Sequence, residues 1–124
     1  CHLKASSPPD EAKVSEFIRE LAERRMFAHI SELDFLDDRP MRSSPEEPKL
    51  QADIIGPFLT TVLAEPNVRR LAFWGLTDPH HPFQRLENTR NAGLSPAIFG
   101  NYGNEKPVFL TIKAAIASAP PRDY

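Results

Sequence analysis

The feature that most limits the fold of this chain is the segment VRRLAFWGL, residues 68 to 76. Its nearly continuous apolar half is what a parallel strand covered on both faces requires; an antiparallel strand with one wet face alternates instead. An earlier segment, MFAHISEL, is rich in strand formers at its centre and predicts a strand over residues 27–33. Between the two, Ser44, Pro45 and Glu47 supply an N-cap, a proline at the first helical position and a capping acid, so a helix starts at about residue 45. Leu50, Ile54, Phe58 and Val62 continue it. Pro57 removes a backbone donor inside this helix, which predicts a kink near Gly56. Strand, helix, strand with apolar strands means a right-handed crossover and parallel pairing, hence part of a larger α/β sheet or barrel.

The flanks extend this α/β pattern. In PPDEAKVSEFIRELAERR, Val14, Phe17, Ile18, Leu21 and Ala22 recur with helical period, and Asp10 and Glu11 sit where the helix dipole favours acid. Residues 77–104 show no helical period and hold several prolines and glycines, so they read as a long loop, a kind of segment that is usually functional. Pro107 opens a last helix through Phe109, Ile112, Ala115 and Ile116, which Pro120 and Pro121 close. The opening CHLKASSPPDEAK has neither an initiator methionine nor a signal peptide and starts as if leaving a structural element, so further residues are expected upstream.

Charge narrows the partners. With 15 basic and 17 acidic side chains and no basic face, attraction to nucleic acid or to an anionic membrane surface has no support. The longest apolar run, LAFWGL, is far short of the roughly 20 residues that span a bilayer. A single cysteine, Cys1, excludes an intrachain disulfide and reads as a strand residue rather than a reactive thiol.

The chemistry concentrates at strand ends. Glu32 and Asp34 lie two apart, so a regular strand points both to one face together with Ile30. A carboxylate at a strand end is most often the start of a solvated loop, but ligands of parallel α/β folds bind at the carboxyl ends of the strands. On the second strand Ala72, Trp74, Leu76 and Asp78 share a face, which places an indole at the equivalent end, where it can stack on the apolar face of a pyranose. His80 and His81 read as a solvated pair, and no third residue at suitable spacing makes them a metal site. His29 reads as a packed strand histidine.

Several of these segments resemble glycoside hydrolase family 10, the endo-β-1,4-xylanases. HISELDF is similar to the family's ITELD segment, and LAFWGLTD to its FWGLTD strand. CHL resembles the end of its Q-x-H-L strand, Gln51-Ala52 matches a QA pair, and PAIFGNYGNEKPVF resembles PLLFDxNYxPKPAY. The match runs over essentially all of residues 1–124 in the right order. The resemblance implies a partial (β/α)₈ barrel of its last βα units, two parallel strands with three main helices, forming roughly the carboxyl-terminal half of a catalytic domain.

It also implies a retaining hydrolase of internal xylosidic bonds, acting without a cofactor on polymeric xylan or xylo-oligosaccharides. Carried over, Glu32 is the nucleophile, His2 and Asp34 hold it ionised and oriented, and Trp74 lines the subsite of the attacked sugar. The acid/base comes from an earlier strand, so the chain needs the amino-terminal half of the barrel; Asp78 and Glu87 are poor substitutes. Secretion of the parent protein is implied, because polymeric xylan does not enter a cell. Two departures stand out: Pro82 and Phe83 replace a serine-tryptophan pair, and Gly100 stands where the family favours aspartate. A non-catalytic carbohydrate-binding or interaction remnant is the alternative reading.

Overall fold

The computed structural model describes residues 1–39, 46–81 and 96–122. Among these residues, strands His2–Lys4 (β1), Ala28–Leu36 (β2) and Val68–Phe73 (β3) form one parallel sheet in the order β1-β2-β3. Helices Glu11–Glu23 (α1), Glu47–Ala64 (α2) and Pro107–Ser118 (α3) accompany it. The βαβ architecture is as the apolar strands require, with one strand beyond the two expected. Three residues are too few for β1 to carry a periodic signal of its own.

Local chemistry accounts for the helix limits. Asp10 caps α1, its carboxylate accepting the Lys13 N–H at 3.2 Å. Of the apolar stripe of α1 only Ile18 is buried, and Phe17 stays 60% exposed. The α2 helix begins at Glu47 with Pro48 in its first turn; the expected cap at Ser44 and Pro45 lies outside the described residues. It runs on through Pro57, whose ring is exposed, so the missing N–H costs one bond without ending the helix. Gly56 faces α3 so closely that a Cβ there would lie 2.7 Å from Thr111 Cγ2.

The core lies between the sheet and these helices. Leu33 and Phe35 of β2 meet Leu59 and Val62 of α2 and Val108 of α3, each at most 1% exposed. Burial of a side chain of this size stabilises by about 1.5–3 kcal/mol. Buried polar groups tie the layers: Asn67 Nδ2 donates to the Ile18 carbonyl at 2.8 Å, and Glu65 accepts from Ser15 Oγ and Arg19 Nε at 2.7 and 2.9 Å. The Arg122 guanidinium donates to the carbonyls of Leu63, Glu65 and Val68, covering acceptors left at the end of α2.

The described parts of the expected long loop are ordered by the sheet. Thr77 forms a parallel bridge with Phe99, Phe99 an antiparallel one with Glu105, and Asp78–His80 make a short 3₁₀ turn. No described helix is long and apolar enough to cross a membrane.

Candidate active site

Strand register assembles the site. His2 of β1 pairs with Asp34 of β2, and partners in a parallel ladder project to the same side of the sheet. His2 Nδ1 accordingly stands 2.8 Å from Asp34 Oδ1. Between β2 and β3 the ladder slips: Ile30 pairs with Leu71 but Leu33 with Phe73, so three steps of β2 oppose two of β3. The extra residue falls at Ser31-Glu32, a β-bulge of the kind that re-aims side chains beside active sites.

The bulge corrects one expectation. Ile30, Glu32 and Asp34 do not alternate regularly onto one face; Glu32 is exposed, whereas Asp34 is buried to 2% exposure. The two acids differ in environment before any chemistry is invoked. The main-chain carbonyl of Glu32 accepts from the Cys1 amino group, and the Leu33 carbonyl accepts the Trp74 N–H at 2.9 Å. That second bond sets the half-buried Trp74 beside the bulge, one residue beyond β3.

Trp74 contacts two imidazoles. The His2 ring centroid is 5.1 Å from it at 56°, and His81 meets it edge-on at 5.5 Å and 69°. His81 is fully buried, with Nε2 3.5 Å from Asp34 Oδ2, so it is not the solvated residue expected from its loop. Only His80 is exposed, its Nδ1 2.9 Å from Thr77 Oγ1. Gly75 makes the seat: its φ is +85°, and a Cβ would lie 2.6 Å from His81 Cδ2. The signal for His81 was a glycine directly after the tryptophan and a prolyl turn returning the chain toward it. His29, by contrast, is exposed rather than packed.

Asp78 is elsewhere. Because β3 ends at Phe73 and Gly75 interrupts the alternation, Asp78 does not share the Trp74 face. It is buried, accepting from Ala97 N at 2.9 Å and facing Lys106 Nζ at 3.3 Å, while Nζ also donates to the Ala97 carbonyl at 2.7 Å. Burial pushes the Lys106 pKa down, against the opposing pull of Asp78. Gln51 Nε2 adds bonds to the carbonyls of Pro96 and Ala97 at 3.0 and 3.1 Å. These groups fasten residues 96–106 beneath the site. Gly100 serves that segment as well, since a Cβ there would lie 2.7 Å from Asn104 Oδ1.

Glu87, Pro82 and Phe83 lie outside the described residues. Among the described residues no three His, Cys, Asp or Glu side chains are grouped to hold a metal. The arrangement therefore offers one exposed carboxylate on a bulge midway along β2, a buried carboxylate facing imidazoles, and an indole in contact with both rings.

The family model described as Glycosyl hydrolase family 10 matches residues 1–115. Among solved structures, native xylanase 10B from Thermotoga maritima is 22% identical with a TM-score of 0.77, covering 94% of this chain and 34% of its own. Native xylanase10C from Cellvibrio japonicus is 18% identical with a TM-score of 0.80, covering 96% and 28%. Xylanase 10B from Thermotoga petrophila RKU-1, solved in complex with xylobiose, is 22% identical with a TM-score of 0.79, covering 94% and 34%. At these identities the likeness establishes the fold. The chain spans about a third of the Thermotoga chains, less than the half that the resemblance implied, because those chains exceed the about 250 residues of a minimal barrel. No curated protein sequence matches it.

Proposed function

Because this chain belongs to glycosyl hydrolase family 10, we propose that it is the nucleophile-bearing part of a retaining endo-β-1,4-xylanase, Glu32 being the nucleophile. One observation carries the reading: an exposed acid stands on a bulge midway along β2, two residues before a buried acid that holds an imidazole against a half-buried indole. Retaining hydrolysis needs an ionised carboxylate to attack the anomeric carbon and a protonated one about 5–5.5 Å away to protonate the departing oxygen. Glu32 fills the first role. The second belongs to a residue of the barrel outside these 124 residues.

The division of labour follows from burial. Asp34, with Oδ1 against His2 and no exposed side-chain surface, orients the imidazole and does not itself reach a sugar. His2, 43% exposed at its side chain and held by Asp34, is the imidazole assigned to keep Glu32 ionised and oriented. Trp74 supplies the apolar platform. The xylobiose bound to the Thermotoga petrophila neighbour supports xylan or xylo-oligosaccharide as the substrate, and a polymeric substrate makes the complete protein an extracellular one.

The test is a complete barrel carrying this segment, assayed on xylan with the product anomer followed by NMR. The β-anomer should appear first, and Glu32→Gln should abolish its formation while Asp34→Asn reduces it less. First appearance of the α-anomer would refute the retaining assignment, and full activity of Glu32→Gln would refute the nucleophile.

A further inference from the structure

We propose that His81 is a positioning residue that closes on the second oxygen of Asp34, so that Asp34, His2, His81 and Trp74 move as one unit. The inference deepens the xylanase reading and, for its effect on turnover, rests on it. Asp34 has no exposed side-chain surface, and a buried carboxylate is costly unless both oxygens meet donors. His2 Nδ1 approaches Oδ1 at 2.8 Å, while Oδ2 is buried, accepts no hydrogen bond among the described residues and has His81 Nε2 3.5 Å away, a gap that a small shift of the ring closes. The same two rings touch Trp74, one tilted and one edge-on. Any rotation of the Asp34 carboxylate therefore displaces an imidazole, and any displacement of an imidazole meets the indole.

His81 is itself held from three directions. Gly75 leaves the space its ring fills, its N–H donates to the Asp78 carbonyl at 3.2 Å, and Asp78 is fixed by Ala97 and Lys106. The 96–106 segment, anchored by its buried Ala97 and Lys106, is thereby connected to the orientation of His2 through one side chain. Since His81 is fully buried, it contacts no sugar, and its effect runs through Asp34 and Trp74.

Imidazole NMR on the ¹⁵N-labelled full chain is the direct test. His81 should carry its proton on Nε2, and Asp34→Asn should shift the His81 Nε2 and His2 Nδ1 signals together while leaving exposed His80 in place. A His81 ring unprotonated at Nε2, or insensitive to Asp34→Asn, overturns the proposal; the first of these needs no substitution and so no folded variant. In the complete barrel, His81→Ala should lower kcat about tenfold to a hundredfold with a much smaller change in KM. His81→Gln, which restores an N–H donor, should recover most of it. Unchanged kcat in His81→Ala also overturns the proposal. The expected NMR pattern in a wild-type barrel with no xylanase activity would support the Asp34–His81 contact and remove the proposed function alone.

Discussion

Replacement of Gly75 by alanine probes the site through a single methyl group. Two costs arise. A left-handed backbone conformation costs an L-residue roughly 1–2 kcal/mol, and the φ of +85° imposes it. The new Cβ would also stand 2.6 Å from His81 Cδ2, against an ordinary carbon contact of about 3.5 Å, so the imidazole must retreat by about 1 Å. His81 is 0% exposed, so its retreat presses it into closely packed surroundings, and overpacking of this kind costs about 1–3 kcal/mol. The sum is about 2–5 kcal/mol. In a His81→Ser background the steric part vanishes, so the same Gly75→Ala change should cost only about 1–2 kcal/mol. Urea unfolding at fixed protein concentration measures both, read by the emission of Trp74, the single tryptophan of the sequence. Equal costs in the two backgrounds would refute the claim that Gly75 exists to seat His81.

Other consequences concern the buried lysine, the edges and activity. Lys106→Met leaves Asp78 buried without its cation and should destabilise by about 3–5 kcal/mol, whereas adding Asp78→Leu should recover much of this; a single-variant loss under about 1 kcal/mol would show the pair to be unimportant. Because burial lowers the Lys106 pKa, the folded chain binds fewer protons than the unfolded one in the alkaline range just below the ordinary lysine pKa, so stability should rise with pH there; Lys106→Met should remove that slope in pH-dependent unfolding. Among the described residues β1 and β3 each pair with one strand, so the chain alone should self-associate, with sedimentation that depends on concentration; a strict monomer at all concentrations contradicts this. The isolated chain should not hydrolyse xylan, since general acid catalysis alone contributes about 10²–10⁴-fold; turnover at ordinary enzyme rates would refute it.

The parts legible in the sequence are those whose signal is local and periodic. The apolar run of β3 required parallel partners, and the Asp10 cap and stripe of α1 marked a helix, because each rests on contacts a few residues away. The β1 strand was too short to read by period and emerged only from CHL as part of a family likeness. The bulge at Ser31-Glu32 is set by pairing with β3, so no property of β2 alone separated exposed Glu32 from buried Asp34. His81 and Asp78 reversed their apparent roles for a related reason: one positive φ at Gly75 turned the chain, burying the histidine against Asp34 and sending the acid to Lys106. Residues five and eight positions past a strand can be placed only when that turn is known.

The most direct measurement of the central claim is covalent trapping. A complete barrel carrying this segment would be treated with an activated 2-deoxy-2-fluoro-xylobioside, which forms the glycosyl-enzyme and slows its hydrolysis, and the labelled peptide sequenced by mass spectrometry. Glu32, the exposed acid of the bulge, should carry the sugar as an ester, and no other residue should. A label on Asp34 or Asp78, or inactivation of the Glu32→Gln protein at the wild-type rate, would contradict the assignment of Glu32 as the nucleophile.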